Sequence, residues 1–350
     1  MTGTTSTGPP ARGAALPSGT FDATHRYRRW SGRLSSRRWT WLAIAVSGIR
    51  HAFAHAKTRT LVTSAVMLVL AAGIIFFLIA QLEQLVGREE APGILNFTKT
   101  LLGVDLSEVT NLADYRTLIW RTAFMFMLRI ELFWVLIMVA RVGPGLIADD
   151  LKARALPIYF SKPLAPLTYI LGKWLVVATF IGLVLTVPNI LSLIVGTMLT
   201  GGLQTWGETL GLGLDLAISG FAVMVVGGWV ILAMSSMTSD KRYATVGWLA
   251  ICLLPATAQA ILDENLSPQA TEGLLGSLSL RGDVLILTEW LFDLRNAWAA
   301  TSLDTRVFEA ALMRPVNPLY PALVLLFVVV LSMVVCYRRV VRFSRAASNL

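Results

Sequence analysis

An all-α polytopic membrane protein with six transmembrane helices, an N-terminal interfacial amphipathic helix and a short cytoplasmic helix is predicted by three observations. Of the 350 residues, 55% are hydrophobic and 15% charged, against about 25% charged in a soluble domain. The apolar residues gather into runs of about 20 or more, the length that crosses a ~30 Å hydrocarbon layer. Lys and Arg fall overwhelmingly between alternate runs, as the positive-inside rule requires. Together these exclude a soluble globular enzyme, a disordered chain and a fibrous repeat.

Residues 1–38 open with Thr, Ser, Gly, Pro and Ala and turn basic from Arg26 onward. They lack the apolar content for a core and are predicted to be a disordered, basic cytoplasmic tail. A cleavable signal peptide is not expected, because the first long apolar run begins near residue 61 and can itself span. Residues 39–57 follow helical periodicity, with Trp39, Leu42, Ala43, Val46, Ile49 and Phe53 on one face and Arg50, His51 and His55 elsewhere. A basic helix with Trp on its apolar face lies in the membrane interface. His51 and His55 have metal-ligand spacing, but Ala52 stands where a zinc-protease pattern needs Glu, so they read as interfacial solvation.

The membrane domain covers 58–345, with spans at about 61–80, 117–140, 174–199, 213–237, 243–262 and 315–337. All must be helices, since lipid offers the backbone no other partners. The second span is apolar except for Arg121, Arg129 and Glu131, and Asp215 lies near the outer start of the fourth. Such charges are costly in lipid and face protein or water. Arg129 and Glu131 lie about 200° apart on a helix of 3.6 residues per turn and do not pair on it. Arg121 and Asp215 sit at similar depth, as an ion pair or as part of a substrate path. Pro188 and Pro255 interrupt spans three and five and mark bends.

With six spans both termini share a side, which carries 21 Lys and Arg against seven opposite. That side is the cytoplasm of an inner (cytoplasmic) membrane. The opposite loops are acidic, so the formal charge of +9 reflects the membrane face and implies no nucleic-acid partner. Cys252 and Cys336 sit in apolar runs and are expected as free thiols. In the outer segment 263–314, Val284–Leu294 is too short and too charged to cross; it reads as interfacial or re-entrant helices on the outer ends of spans five and six.

The loop after span two carries Asp149, Asp150, Arg154, Leu156, Pro157, Tyr159, Ser161-Lys162-Pro163, Tyr169 and Gly172-Lys173. Ile147–Phe160 is predicted as one short helix along the membrane, with the two Asp near its positive end. Pro157 within it acts to shorten or kink it. The order of these residues resembles the cytoplasmic loop of type-2 ABC transporter permeases, in which an acidic pair precedes a basic residue, a Ser-Lys/Arg-Pro triplet, an aromatic and Gly-Lys at the start of span three. The resemblance covers about residues 39–345. Ala155-Leu156 replaces the Gly-Thr of many members.

The resemblance implies that this segment is a coupling helix for a separate ATPase subunit, through Asp149, Asp150, Arg154, Tyr159 and Lys162. It implies two ATPase copies, a second permease copy or a homologous permease, surrounding membrane lipids, and ATP and Mg on the partner, with no cofactor in this chain. The only Gly-Lys pair, Gly172-Lys173, is followed by Trp174 and forms no phosphate loop. The chain is thus expected to be a transport subunit and not an enzyme. A gradient-driven secondary transporter is the alternative, with Arg129–Glu131 its one candidate midplane site; no inverted repeat of broken helices accompanies it. An integral membrane enzyme lacks a His/Asp cluster at membrane depth.

Overall fold

A computed structural model describes residues 39–85, 116–160, 164–200, 206–265, 274–299 and 316–348. Helices are the regular structure there, and no strand occurs among the described residues. In chain order they are α1 (Thr40–Ala54), α2 (Ala56–Leu85), α3 (Arg116–Val142), α4 (Gly145–Lys152), α5 (Ala155–Phe160), α6 (Pro166–Ile181), α7 (Val187–Thr200), α8 (Trp206–Met237), α9 (Lys241–Asn265), α10 (Leu280–Leu291), α11 (Leu294–Ala299) and α12 (Leu319–Ser348). Gly182–Thr186 forms a π turn between α6 and α7, and Leu274–Gly276 a single 3₁₀ turn.

Among the described residues, five helical stretches are long and apolar enough to cross a membrane: Trp120–Lys152, Pro166–Leu199, Thr209–Met237, Lys241–Asn265 and Leu319–Phe343. This is the character of a multi-pass membrane protein. The run 61–80 lies inside the 30-residue α2, whose side chains beyond Ile74 lie outside the described residues, as does the whole of 1–38. The helices overrun several predicted spans: the third begins at Pro166, ahead of 174, and α12 continues past 337. Apolar content marks the lipid-depth part of a helix, whereas backbone hydrogen bonding continues into the polar flanks.

α8 is the hub of the bundle, touching α3, α6, α9, α10 and α12. It is the most buried of the five long stretches, and α9 the most exposed. Two positions show why α1 lies so closely on α6. A Cβ at Gly172 would sit 2.8 Å from Ile44 and 2.9 Å from the Trp41 carbonyl oxygen; one at Gly48 would sit 2.6 Å from Val176. Small residues let membrane helices approach at backbone distance. Phe53 completes the contact, its ring 4.9 Å from that of Phe180. Ala45 is buried at this seam, while Trp39, Leu42 and Val46 remain exposed on the outer side. The helix thus sets one small-residue face on α6 and leaves an apolar edge exposed, whereas Ile49 and Phe53, expected on the same face as Trp39, Leu42 and Val46, pack on the bundle instead.

In the second long stretch, Pro166–Leu199, the π turn stands just ahead of Pro188. A helix-interior proline lacks an N–H and its ring crowds the carbonyl four residues back. That carbonyl belongs to Val184, inside the π turn. Pro255, by contrast, is carried inside a continuous α9.

Candidate functional site

The turn that joins α3 to α6 has no continuous helix over Ile147–Phe160. The prediction of one is corrected: α4 and α5 are separate, with Ala153 and Arg154 between them. The cause is again a proline. Pro157 crowds the carbonyl of Ala153, four residues earlier, so no helix runs through that point. Arg154 then takes the left-handed conformation, φ 51°, which turns the chain through a corner and reverses it toward α6.

α4 is fixed from α8. The Ser235 hydroxyl accepts from the backbone N–H of both Ile147 and Ala148 at 3.0 Å, and donates to the Pro144 carbonyl at 2.6 Å. The Ile147 N–H is one of the donors a helix start leaves orphaned, and Ile147, Ala148 and Ser235 are all buried. Serine is so common on apolar helices that the sequence carries no signal for this cap.

The two acidic residues part company. Asp150 accepts from the Tyr169 hydroxyl at 2.6 Å and pairs with Lys173 at 2.8 Å, with both charged side chains 17% exposed. Lys173 also stands over the Tyr169 ring, 5.4 Å from its centre. Asp150 is therefore a brace between α4 and α6, and its expected exposure to a partner is corrected. Asp149 is half exposed and meets Lys241 only at 3.8 Å. Arg154 is exposed. Tyr159 is 40% and Ile158 66% exposed on α5. Desolvation, with the Asp150 charge adding to it, pushes the Tyr159 phenol above its ordinary value. Lys162 lies outside the described residues. Ile158 carries the largest exposed apolar surface of the turn, and no sequence signal singled it out.

The charges within the long helices are also distributed differently from one another. Arg121 and Asp215 act on each other electrostatically without a direct N–O contact. Arg129 and Glu131 turn apart, as their spacing predicts. Arg129 faces α10: its carbonyl accepts from Arg281 at 3.0 Å, and Glu289 is a charged neighbour. Glu289 in turn pairs with Arg295 at 2.8 Å. Glu131 is fully buried and accepts a hydrogen bond from the Asn189 amide of α7, just beyond the π turn. Its second carboxylate oxygen has no hydrogen-bond partner among the described residues, and neither has the Asn189 carbonyl oxygen. Asn189 is a site residue that sequence reasoning missed, because it looks like an isolated polar residue beside Pro188.

Val284–Leu294, too short to cross, is helical within α10 and at the start of α11. α10 and α11 bury Val284, Leu285, Ile286, Leu294 and Trp298 against the bundle, and the Trp298 indole donates to the Thr122 hydroxyl at 3.1 Å. α10 packs on α9 and α12, the helices over the predicted spans 243–262 and 315–337, and also on α3 and α8. Cys252 and Cys336 are free thiols. Among the described residues no group of three His, Cys, Asp or Glu is placed to hold a metal. No protein-family model matches this chain, and no curated protein matches it.

Proposed function

We propose that the chain is the membrane-spanning permease subunit of an ATP-driven ABC exporter of the type-2 kind. It crosses an inner membrane six times, with α2 as its first span and both termini cytoplasmic, and works as a pair with a second permease and two ATPase subunits. The observation that carries this is the α4–α5 turn. It projects from the basic end of the bundle between α3 and α6, is clamped to α8 by Ser235 and to α6 by Asp150, and presents Ile158, Tyr159 and Arg154 outward. A rigidly mounted turn with one apolar anchor and flanking charges is suited to a partner groove, since interfaces divide affinity and orientation in that way. Rigidity matters for transmission: a push on the turn reaches α8 through Ser235 and α6 through Asp150–Lys173, both held by α4, and reaches α12 through α5, which packs on it. ATP and Mg belong to the partner.

A second reading, a gradient-driven carrier, draws support from one observation, the buried Glu131–Asn189 pair beside a π turn, where an ion-coupling group is expected. Gentle purification from native membranes separates the two. The ABC reading expects a phosphate-loop ATPase to accompany the chain. A chain that purifies alone and transports in ATP-free vesicles under an ion gradient establishes the carrier.

A further inference from the structure

At the basic end of the bundle, α1, the end of α3, α4 and the starts of α6 and α9 enclose an open cavity of about 910 Å³. That lies within the range of small-molecule sites, roughly 300–1,000 Å³. Its charge is unbalanced. Arg141, Lys173, Lys241 and Arg242 line it, against Asp149 and Asp150 alone among acidic residues. Asp150 is taken by Lys173 at 2.8 Å, and Asp149 has Lys241 as its nearest cation at 3.8 Å. Arg141 and Arg242 make no ion pair among the described residues. His51 and His55, stacked edge to face at 5.2 Å, add imidazole groups to the α1 wall.

Between these polar groups the lining is apolar, with Ile44, Leu146 and Leu164. The α1 wall also sets the depth. Its outer face exposes Trp39, Leu42 and Val46, the side chains of a helix lying at the headgroup level. A surplus of guanidinium groups, an apolar lining and an interfacial wall describe one ligand chemistry. Arg matches phosphate oxygens in a planar fork, and basic pockets between membrane helices bind lipid head groups.

We infer that this cavity holds the phosphate headgroup of an anionic membrane phospholipid, with Arg141 and Arg242 as its phosphate ligands. The inference rests on the membrane character of the chain and on this cavity. It does not depend on an ATPase partner.

The test uses the full chain alone, in detergent micelles doped equally with phosphatidic acid, phosphatidylglycerol and phosphatidylcholine, and reads retained lipid by native mass spectrometry. The two anionic lipids are retained over phosphatidylcholine. The double variant Arg141→Gln/Arg242→Gln loses that preference by about 20-fold, the scale set by two basic residues near an anionic surface. The variant Arg338→Gln/Arg339→Gln, on α12 and outside the cavity lining, retains it. Circular dichroism and gel filtration confirm that both variants are folded. Equal retention by the cavity variant and the parent overturns the inference. So does displacement of the anionic lipids by millimolar inorganic phosphate, because the site then belongs to a soluble phosphate compound. An ATPase need not be present, so failure here leaves the transport reading standing, and failure of that reading leaves this one.

Discussion

Asp149 and Asp150 are neighbours in the chain with opposite surroundings, and the difference is measurable. Asp150 holds a buried hydroxyl and a lysine at once, so Asp150→Ala strands both; a hydrogen bond to a charged group contributes about 1.5–3 kcal/mol. Asp149 makes one long, half-exposed pair, the kind that contributes ~1 kcal/mol or less. Reversible unfolding in mixed micelles is expected to show a loss of ~2 kcal/mol for Asp150→Ala and under ~0.5 kcal/mol for Asp149→Ala. Equal losses contradict the brace. Asp283, on α10, gives a pH signature. Neither of its oxygens makes a well-formed hydrogen bond among the described residues. Burial pushes its carboxyl up to about 7, with Ser277 a partial counterweight. The unfolded chain releases that proton near the ordinary value of about 3.9. Between these values the folded state holds more protons, so this residue lowers stability as pH rises from about 4 through 7. Thermal unfolding of the parent at pH 5 and pH 8 should show that decline, and Asp283→Asn should shrink it. An unchanged pH dependence in the variant refutes the assignment.

At the scale of elements, apolar runs and amphipathic spacing made α1, the five long stretches and the α10–α11 pair legible as helices, because helical periodicity and run length are local properties of the chain. What periodicity leaves out is where a helix must stop. Pro157 divides α4 from α5 through its clash with the Ala153 carbonyl, and Pro188 sits just after the π turn. Each is visible as a proline, but whether it ends, bulges or merely bends its helix depends on neighbours: Pro255 leaves α9 continuous. Ser235 and Asn189 were illegible for another reason. Their partners lie 88 and 58 residues away, beyond any local pattern. Gly172 shows the converse, a residue noted for its place in a motif that turns out to have a packing role. A methyl there meets a backbone oxygen at 2.9 Å, which cannot give way as a side chain can. Gly172→Ala is therefore expected to cost ~1–3 kcal/mol, as overpacking does, and to part α1 from α6. Alkylation of Ala45→Cys by a water-soluble maleimide should be slow in the parent background and fast with Gly172→Ala; equal rates mean that α1 is not held at this seam.

For the whole molecule, the proposed topology places 21 of the 30 Lys and Arg on the cytoplasmic side, in keeping with the positive-inside rule. Reporter fusions at Leu350 and after Asn265 should report opposite sides, with Leu350 cytoplasmic; a periplasmic Leu350 removes the six-span arrangement. The central claim, that the α4–α5 turn is where an ATPase engages, is tested most directly at Ile158, which is 66% exposed. The measurement is the amount of ATPase subunit co-purified per chain from native membranes, for the parent, Ile158→Asp and Leu274→Asp, a comparably exposed apolar site beyond the far end of α9. The account predicts roughly stoichiometric ATPase with the parent and Leu274→Asp, and at least tenfold less with Ile158→Asp at unchanged expression. Undiminished ATPase with Ile158→Asp, or none with the parent, contradicts it.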